Sequence, residues 1–241
     1  MQNEINAKEA AHSKAVREMF AGIAGRYDLL NHVLSLNIDK LWRRKVSNLL
    51  RETLSRPDAI VLDVACGTGD LSLELNRDSR AQIIGTDFCR PMLTVALEKT
   101  AGLKAAVPYV EADAMDLAFA DDSFDALTIA FGLRNLPNLS SGLVELHRVI
   151  KPGGTIVVLE FSSPIVPGFR QLFNFYFANI LPRIGGAVSG SRGAYEYLPE
   201  SVSKFPDQKG LVQLMEQTGF SSVRYQNLTG GIAAIHSGIK S

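Results

Sequence analysis

Three aspartates and two glycines are spaced like a nucleoside-binding set. Asp63 leads into Val64-Ala65-Cys66-Gly67-Thr68-Gly69, Asp87-Phe88 comes twenty residues after Gly67, and Asp113-Ala114 follows a further apolar run. Glycine allows the positive-φ turn with which a chain passes close beneath a ligand. A carboxylate such as Asp87 can accept both hydroxyls of a ribose, and Asp113 can take an adenine amino group with Ala114 against the ring. Singly, each aspartate reads equally well as a helix cap or a turn residue. Three of them at successive strand ends behind a glycine loop read as one site.

The charge pattern of the loop separates the nucleotides that could fill it. A dinucleotide fold calls for G-x-G-x-x-G beneath a pyrophosphate. Here Gly67-Thr68-Gly69 is followed by Asp70-Leu71-Ser72, without the third glycine, and Asp63 stands where a pyrophosphate would be repelled. A P-loop is excluded because no Gly-Lys-Ser/Thr follows. S-adenosylmethionine has no phosphate and carries an ammonium and a sulfonium, so an acidic strand end suits it. The cofactor set is then Asp63, Gly67, Thr68, Gly69, Asp87, Phe88, Asp113 and Ala114, with no metal. A nicotinamide-dependent oxidoreductase is the rival enzyme class.

These residues must be held by strands. Short apolar runs at Ala59–Ala65, Gln82–Asp87, Tyr109–Ala112, Phe124–Ala130 and Thr155–Phe161 alternate with helical stretches such as Leu71–Leu75, Pro91–Thr100 and Ser141–Ile150. The runs are poor in charge and mostly do not alternate, as strands covered on both faces should be. This rhythm predicts an α/β fold of the Rossmann-like, doubly wound kind. Ser222–Thr229 and Ile232–Gly238, joined at Gly230-Gly231, predict a terminal hairpin. Lys151-Pro152-Gly153-Gly154 reads as a tight turn, His147 as solvated, and His236, in the last strand, as a structural histidine.

Two flanks fall outside the rhythm. Residues 14–54 read as a helical lid, including Ala15–Ile23 and Lys40–Leu50. Residues 162–205 form an insertion that holds eight of the eighteen Phe and Tyr residues. A single domain over 1–241 results, with its cofactor core at 55–161 and a C-terminal helix and hairpin at 206–241. The balance of 25 basic and 25 acidic side chains argues against a nucleic-acid partner, and the cluster Lys40, Arg43, Arg44, Lys45 around Trp42 is too short to change that. Two cysteines without a CxxC pair argue against a disulfide framework or zinc and fit a reducing cytoplasm. The polar N-terminus lacks a signal peptide's apolar run, and no stretch reaches the roughly 18 apolar residues of a spanning helix.

The ordered motifs resemble those of the class I methyltransferases. The resemblance narrows at Tyr27-Asp28-Leu29-Leu30-Asn31 with Ser35 and Trp42, at Phe131-Gly132-Leu133-Arg134-Asn135, at Arg148-Val149-Ile150-Lys151-Pro152-Gly153-Gly154, at Leu159-Glu160-Phe161-Ser162 and at Asn227-Leu228-Thr229-Gly230-Gly231. With further matches at Leu181-Pro182-Arg183-Ile184-Gly185 and Pro206-Asp207-Gln208, the chain resembles the ubiquinone/menaquinone biosynthesis C-methyltransferases from about Val16 to Lys240. Asn37-Ile38-Asp39-Lys40 and Phe205 depart from the family pattern, so no role is carried to them.

The resemblance implies a seven-stranded, mostly parallel sheet ending in an antiparallel hairpin, with cofactor contacts at Thr68, Asp87, Asp113 and Ala114. It also implies methylation of a ring carbon of a prenylated quinol, most simply demethylmenaquinol, with a benzoquinol or a non-catalytic role in a quinone-synthesis complex as the alternatives. Arg134 and Asn135, after the fourth strand, are the candidate donors for a developing oxyanion; Tyr27 and Asp28 are further catalytic candidates. Asn31, Phe131, Phe173, Tyr195 and Tyr197 are candidates for the ring and its apolar tail. Such a substrate suggests peripheral contact with a membrane, and a homodimer is compatible with the sequence.

Overall fold

The computed structural model of the protein describes residues 2–35, 37–103, 106–165, 171 and 192–241. Seven strands form one sheet: β1 (Ile60–Val64), β2 (Gln82–Asp87), β3 (Tyr109–Glu111), β4 (Phe124–Ala130), β5 (Ile150–Phe161), β6 (Phe220–Leu228) and β7 (Ala233–Lys240). Their order is β3-β2-β1-β4-β5-β7-β6. β7 runs antiparallel to both β5 and β6, and the other pairings are parallel. The order reverses direction between β1 and β4, and a crevice opens there at the carboxyl ends of the strands.

The helices among the described residues are α1 (Gln2–Ile23), α2 (Tyr27–Leu34), α3 (Ile38–Leu49), α4 (Arg51–Leu54), α5 (Asp70–Asn76), α6 (Arg90–Thr100), α7 (Leu139–Val149), α8 (Arg192–Lys204) and α9 (Gln208–Gln217). Alternate strand residues serve opposite layers. Val61, Ala126, Val157 and Leu159 pack with Trp42, Val46, Leu71 and Leu75 from α3 and α5. Leu62, Leu127, Ile156 and Val158 pack with Leu143, Leu146, Leu211 and Met215 from α7 and α9. The period-two split explains why these strands are apolar throughout: both faces are interior.

The strand bounds fall close to the apolar runs of the sequence. One difference is at Lys151–Gly154, which is a bulge inside β5 rather than a turn ahead of it. Phe124 pairs with Ile150 and Ala126 with Thr155, so the extra residues are taken up within the strand, with Gly153 at φ 78°. The hairpin is present, and Gly230 and Gly231 turn it with φ of 68° and 92°. A second difference is at the N-terminus, where helix α1 already begins at Gln2. Its polar residues showed no core-facing pattern because its inner side meets the cleft and α6. Phe173 and its aromatic neighbours lie outside the described residues.

Candidate active site

β1 ends in the glycine loop. Ala65, Gly67 and Gly69 all have positive φ, and Cys66 N–H donates to Thr86 O at 2.9 Å, tying the loop to β2. The two glycines serve different neighbours. A Cβ on Gly67 would meet nothing closer than the Tyr27 ring at 3.9 Å, so this glycine keeps the cleft floor open. A Cβ on Gly69 would lie 2.4 Å from the Tyr109 hydroxyl oxygen, so this one makes room for β3.

Asp63 is not brought to the cleft. It is 1% exposed beneath the loop, where it accepts from Ser72 Oγ at 2.6 Å and Thr128 Oγ1 at 2.7 Å. A carboxylate ending a buried strand must find internal donors, and here it finds hydroxyls on α5 and β4. Burial pushes it up to about 6, and the two hydroxyls and Arg43 pull it back only partly. Thr68 is also buried, and its hydroxyl donates to Asp28 on α2.

Asp87 does line the cleft, with Phe88, Asp113 and Ala114. One Asp87 oxygen accepts from Gly67 N–H at 2.9 Å and the other from Cys89 N–H at 2.8 Å. Each oxygen therefore keeps a lone pair for a further donor. Burial pushes this carboxyl up to about 6. Asp113 accepts from Met115 N–H at 2.9 Å, which shapes the turn after β3. Met92 of α6 adds an apolar wall. The cleft has a volume of about 650 Å³ including its mouth. It offers carboxylate acceptors for ribose hydroxyls and an amino group, flat apolar walls for a purine, and an open glycine floor. This donor and acceptor set fits S-adenosylmethionine.

The roof comes from the N-terminal helices. Ser13, Phe20 and Tyr27 line the cleft from above. Arg17 lies over the Phe88 ring at 5.2 Å, and His12 Nε2 meets Asn135 O at 3.1 Å. Tyr27 packs edge-on against Phe20, and burial raises its phenol above the ordinary value while Arg134 and Asn31 oppose that shift. Asp28 takes the Thr68 hydroxyl and the Lys99 ammonium, the latter at 2.8 Å. Lys99 also pairs with Asp70, Arg43 reaches Asp70 at 3.3 Å and Asp39 at 2.5 Å, and His32 meets Asp39 at 2.9 Å. This network ties α2 and α3 to α5 and α6. His32, Asp39 and Asp70 lie close enough together to share a cation, but Arg43 and Lys99 already serve those carboxylates.

Beyond β4 lies the second wall. Phe131 has φ 56°, and the short helical turn Leu133–Asn135 follows. Arg134 is buried. Its Nη1 donates to Phe131 O at 2.5 Å and to Glu160 Oε1 at 2.7 Å, and its guanidinium stands 5.4 Å from the centre of the Phe161 ring. Among the described residues Arg134 Nε is buried without a hydrogen-bond partner. Asn135 donates to Phe131 O at 3.1 Å and accepts from Tyr197 Oη at 3.2 Å. Phe131, Phe161 and Trp42 form an aromatic group with centroid separations of 4.7 to 6.4 Å. Tyr195 belongs to α8, which packs against the Leu133–Asn135 turn and α1.

Tyr27, Phe131 and Asn135 thus line one end of the cleft, while Arg134 and Tyr197 stand behind that wall, Arg134 on Glu160 and Tyr197 on Asn135. Asn31 is not a lining residue of the cleft; it acts on the Tyr27 phenol, holding its pKa down. Glu160, which the sequence offered only within the Leu159–Ser162 motif, and His12 were given no role from sequence. Glu160 was findable, since it is a lone charge ending the apolar run Val157-Val158-Leu159. His12 carried no signal, because nothing local distinguishes it from a solvated helix residue. His236 is buried on β7, where its Nε2 meets Gln208 O at 3.0 Å and burial lowers its pKa. His147 is half-buried edge-on against Phe220 rather than solvated.

The model of the ubiE/COQ5 methyltransferase family matches residues 7–240. A demethylmenaquinone methyltransferase of Deinococcus radiodurans is 48% identical over 228 residues, covering 94% of this chain and 93% of that one. A ubiquinone/menaquinone biosynthesis C-methyltransferase of Geobacter sp. (strain M21) is 45% identical over 230 residues, covering 93% and 96%. The fold is similar to that of a solved S-adenosylmethionine-dependent methyltransferase from Thermotoga maritima, with a TM-score of 0.65 at 16% identity, covering 93% of this chain and 99% of that one. With a match spanning nearly every residue that builds the loop, the roof and the Arg134 wall, the chain belongs to the ubiE/COQ5 methyltransferase family.

Proposed function

We propose that this S-adenosylmethionine-dependent methyltransferase converts a demethylmenaquinol to a menaquinol by replacing a ring C–H with C–CH3. The observation that carries the reading is the buried Arg134 guanidinium, fixed by Glu160 beside the aromatic group of Phe131, Phe161 and Trp42. The two relatives above, a demethylmenaquinone methyltransferase and a ubiquinone/menaquinone biosynthesis C-methyltransferase, supply the substrate class.

S-adenosylmethionine, when bound, supplies an activated methyl on a sulfonium. Asp87, Asp113 and Ala114 would hold its nucleoside, and Gly67 leaves it room. The substrate side must hold a flat ring and make one ring carbon nucleophilic. Phe131 offers a face for the ring. Arg134 and Asn135 lower the cost of charge on the ring hydroxyl, and an ionised hydroxyl raises electron density at its ortho carbon. The guanidinium is already oriented because Glu160 and Phe131 O fix it, so its remaining N–H donors need no reorganisation. Tyr27 stays a neutral phenol at physiological pH, so it serves as a hydrogen-bond donor and a roof against water. Asp28 latches that roof and does not touch the ring. Such a substrate brings the enzyme to a membrane surface from the cytoplasm.

Transfer of labelled methyl to short-chain demethylmenaquinol and to the matching benzoquinol tests this. Labelled menaquinol is the expected product. Transfer to the benzoquinol alone would move the substrate to the ubiquinone branch, and no transfer to either would leave the assembly-partner reading.

A further inference from the structure

We propose that the outward face of α3 seats this protein on an anionic phospholipid bilayer; the partner class rests on the lipid-tailed substrate proposed above. The helix has two opposed faces. Trp42 and Val46, with Leu50 just beyond its end, turn into the core. Leu41, Lys45 and Leu49, spaced one turn apart, turn outward, and the two leucines are 57% and 52% exposed. Lys40 and Arg44 flank that line and are exposed, and Arg51 of α4 continues it.

Charge accumulates beside the leucines. Lys40, Arg43, Arg44 and Arg77 line an open groove between α3 and α5, where Asp70 and Glu74 are the acidic wall residues. Asp70 is taken by Lys99 and Arg43, and Glu74 is shared between Arg44 at 3.6 Å and Arg77 at 3.7 Å. On α3 itself Lys40, Arg44 and Lys45 are exposed, while Arg43 is buried on Asp39 and Asp70, so the outward side of this helix carries cations only. Leucines in line, flanked by Lys and Arg, match an interfacial helix: apolar side chains enter the acyl boundary and cations meet lipid phosphates. A nucleic acid also offers phosphates, but it gives the two leucines nothing to bury against.

The position of the face fits the chemistry. Trp42, on the inner side of α3, lies 6.1 Å from Phe131, which lines the cofactor cleft. A helix is about 10 Å across. The Phe131 end of the cleft and the outward face of α3 are therefore about one helix width apart.

Sedimentation with vesicles tests this. The protein should bind phosphatidylglycerol–phosphatidylcholine vesicles, should bind phosphatidylcholine alone far less, and should lose binding as salt rises. Each cation is expected to contribute about fivefold, so Lys40→Gln, Arg44→Gln and Lys45→Gln together should lower partitioning roughly 100-fold. Leu41→Ser with Leu49→Ser should also lower it, with cofactor binding and turnover of a water-soluble short-chain quinol unchanged in both variants. Equal binding to both vesicle types, no binding to either, or a triple variant that sediments like the wild type would overturn the proposal. So would displacement of bound vesicles by duplex DNA at equal phosphate, which would assign the face to nucleic acid. Turnover of the soluble quinol is measured separately, so loss of the substrate reading and loss of this one are distinguishable.

Discussion

Cofactor affinity should fall below pH 6, and Asp87 should be the cause. Its carboxyl titrates near 6 because burial disfavours the charge, and the N–H groups of Cys89 and Gly67 offset that only in part. Two ribose hydroxyls donating to the carboxylate stabilise the ionised form, so binding should return the pKa toward its ordinary value of about 4. Below pH 6 part of the binding free energy then goes into removing a proton. The linkage gives affinity about tenfold weaker at pH 5 than on the plateau above pH 7, or about 1.4 kcal/mol. At pH 6 it gives release of about half a proton per cofactor bound. Calorimetry with S-adenosylhomocysteine in two buffers of different ionisation enthalpy reads both quantities. Asp63 also titrates near 6, but its oxygens face Ser72 and Thr128, away from the cleft. Asp87→Asn keeps Asp63, so this variant should bind weakly with little pH dependence. Affinity flat from pH 5 to 7.5 in the wild type, proton uptake on binding, or an undiminished slope in Asp87→Asn would each refute the assignment.

Three further perturbations follow. Gly132→Ala puts a Cβ 2.5 Å from that of Ala65, where neither strand end can retreat; a loss of about 1–3 kcal/mol is expected, and an unchanged melting temperature would disprove the crowding. Asp28→Asn weakens the tie from α2 to Thr68 and Lys99; cofactor release in stopped flow should quicken several-fold, and an unaltered rate would mean the roof is held elsewhere. Arg134→Ala strands Glu160 as a buried lone charge and should cost about 3–5 kcal/mol in urea unfolding. Arg134→Met combined with Glu160→Gln should regain most of that stability without regaining methyl transfer, and recovered turnover would remove Arg134 from the chemistry.

The sheet was legible because burial on both faces leaves a direct imprint. Val61-Leu62, Ala126-Leu127 and Val157-Val158 supply alternate residues to two different layers, so the runs had to be apolar throughout. That Asp87 and Asp113 line one cleft was legible because one ends β2 and the other follows β3 in a fixed order. Asp63 was legible as a residue but not as a direction. A strand-end carboxylate can face the ligand or the space beneath the loop, and its choice depends on Ser72 and Thr128, nine and sixty-five residues away. Gly69 poses a similar problem, since its glycine is required by Tyr109, which only strand pairing brings close. The roof was the least legible part. α1 packs on Cys89 and Met92 only through its second half, from Val16 to Ile23, and His12 and Ser13 reach the site through tertiary packing alone.

The two carboxyls near 6 share a physical purpose. A group whose folded pKa lies above its unfolded value binds its proton more tightly in the folded chain. The stability it lends is therefore lost as pH rises from about 4 through 6. For Asp63 and Asp87 the shift is about two units, on the order of 3 kcal/mol each. A purely structural design would have replaced them with neutral groups. Holding them charged at neutral pH keeps negative potential beneath and beside the glycine loop, aimed at a ligand that carries two positive centres. Cofactor binding should therefore relieve part of this cost, raising the melting temperature more at pH 7.5 than at pH 5. A shift equal at both pH values would mean that neither carboxyl senses the ligand's charge or its ribose.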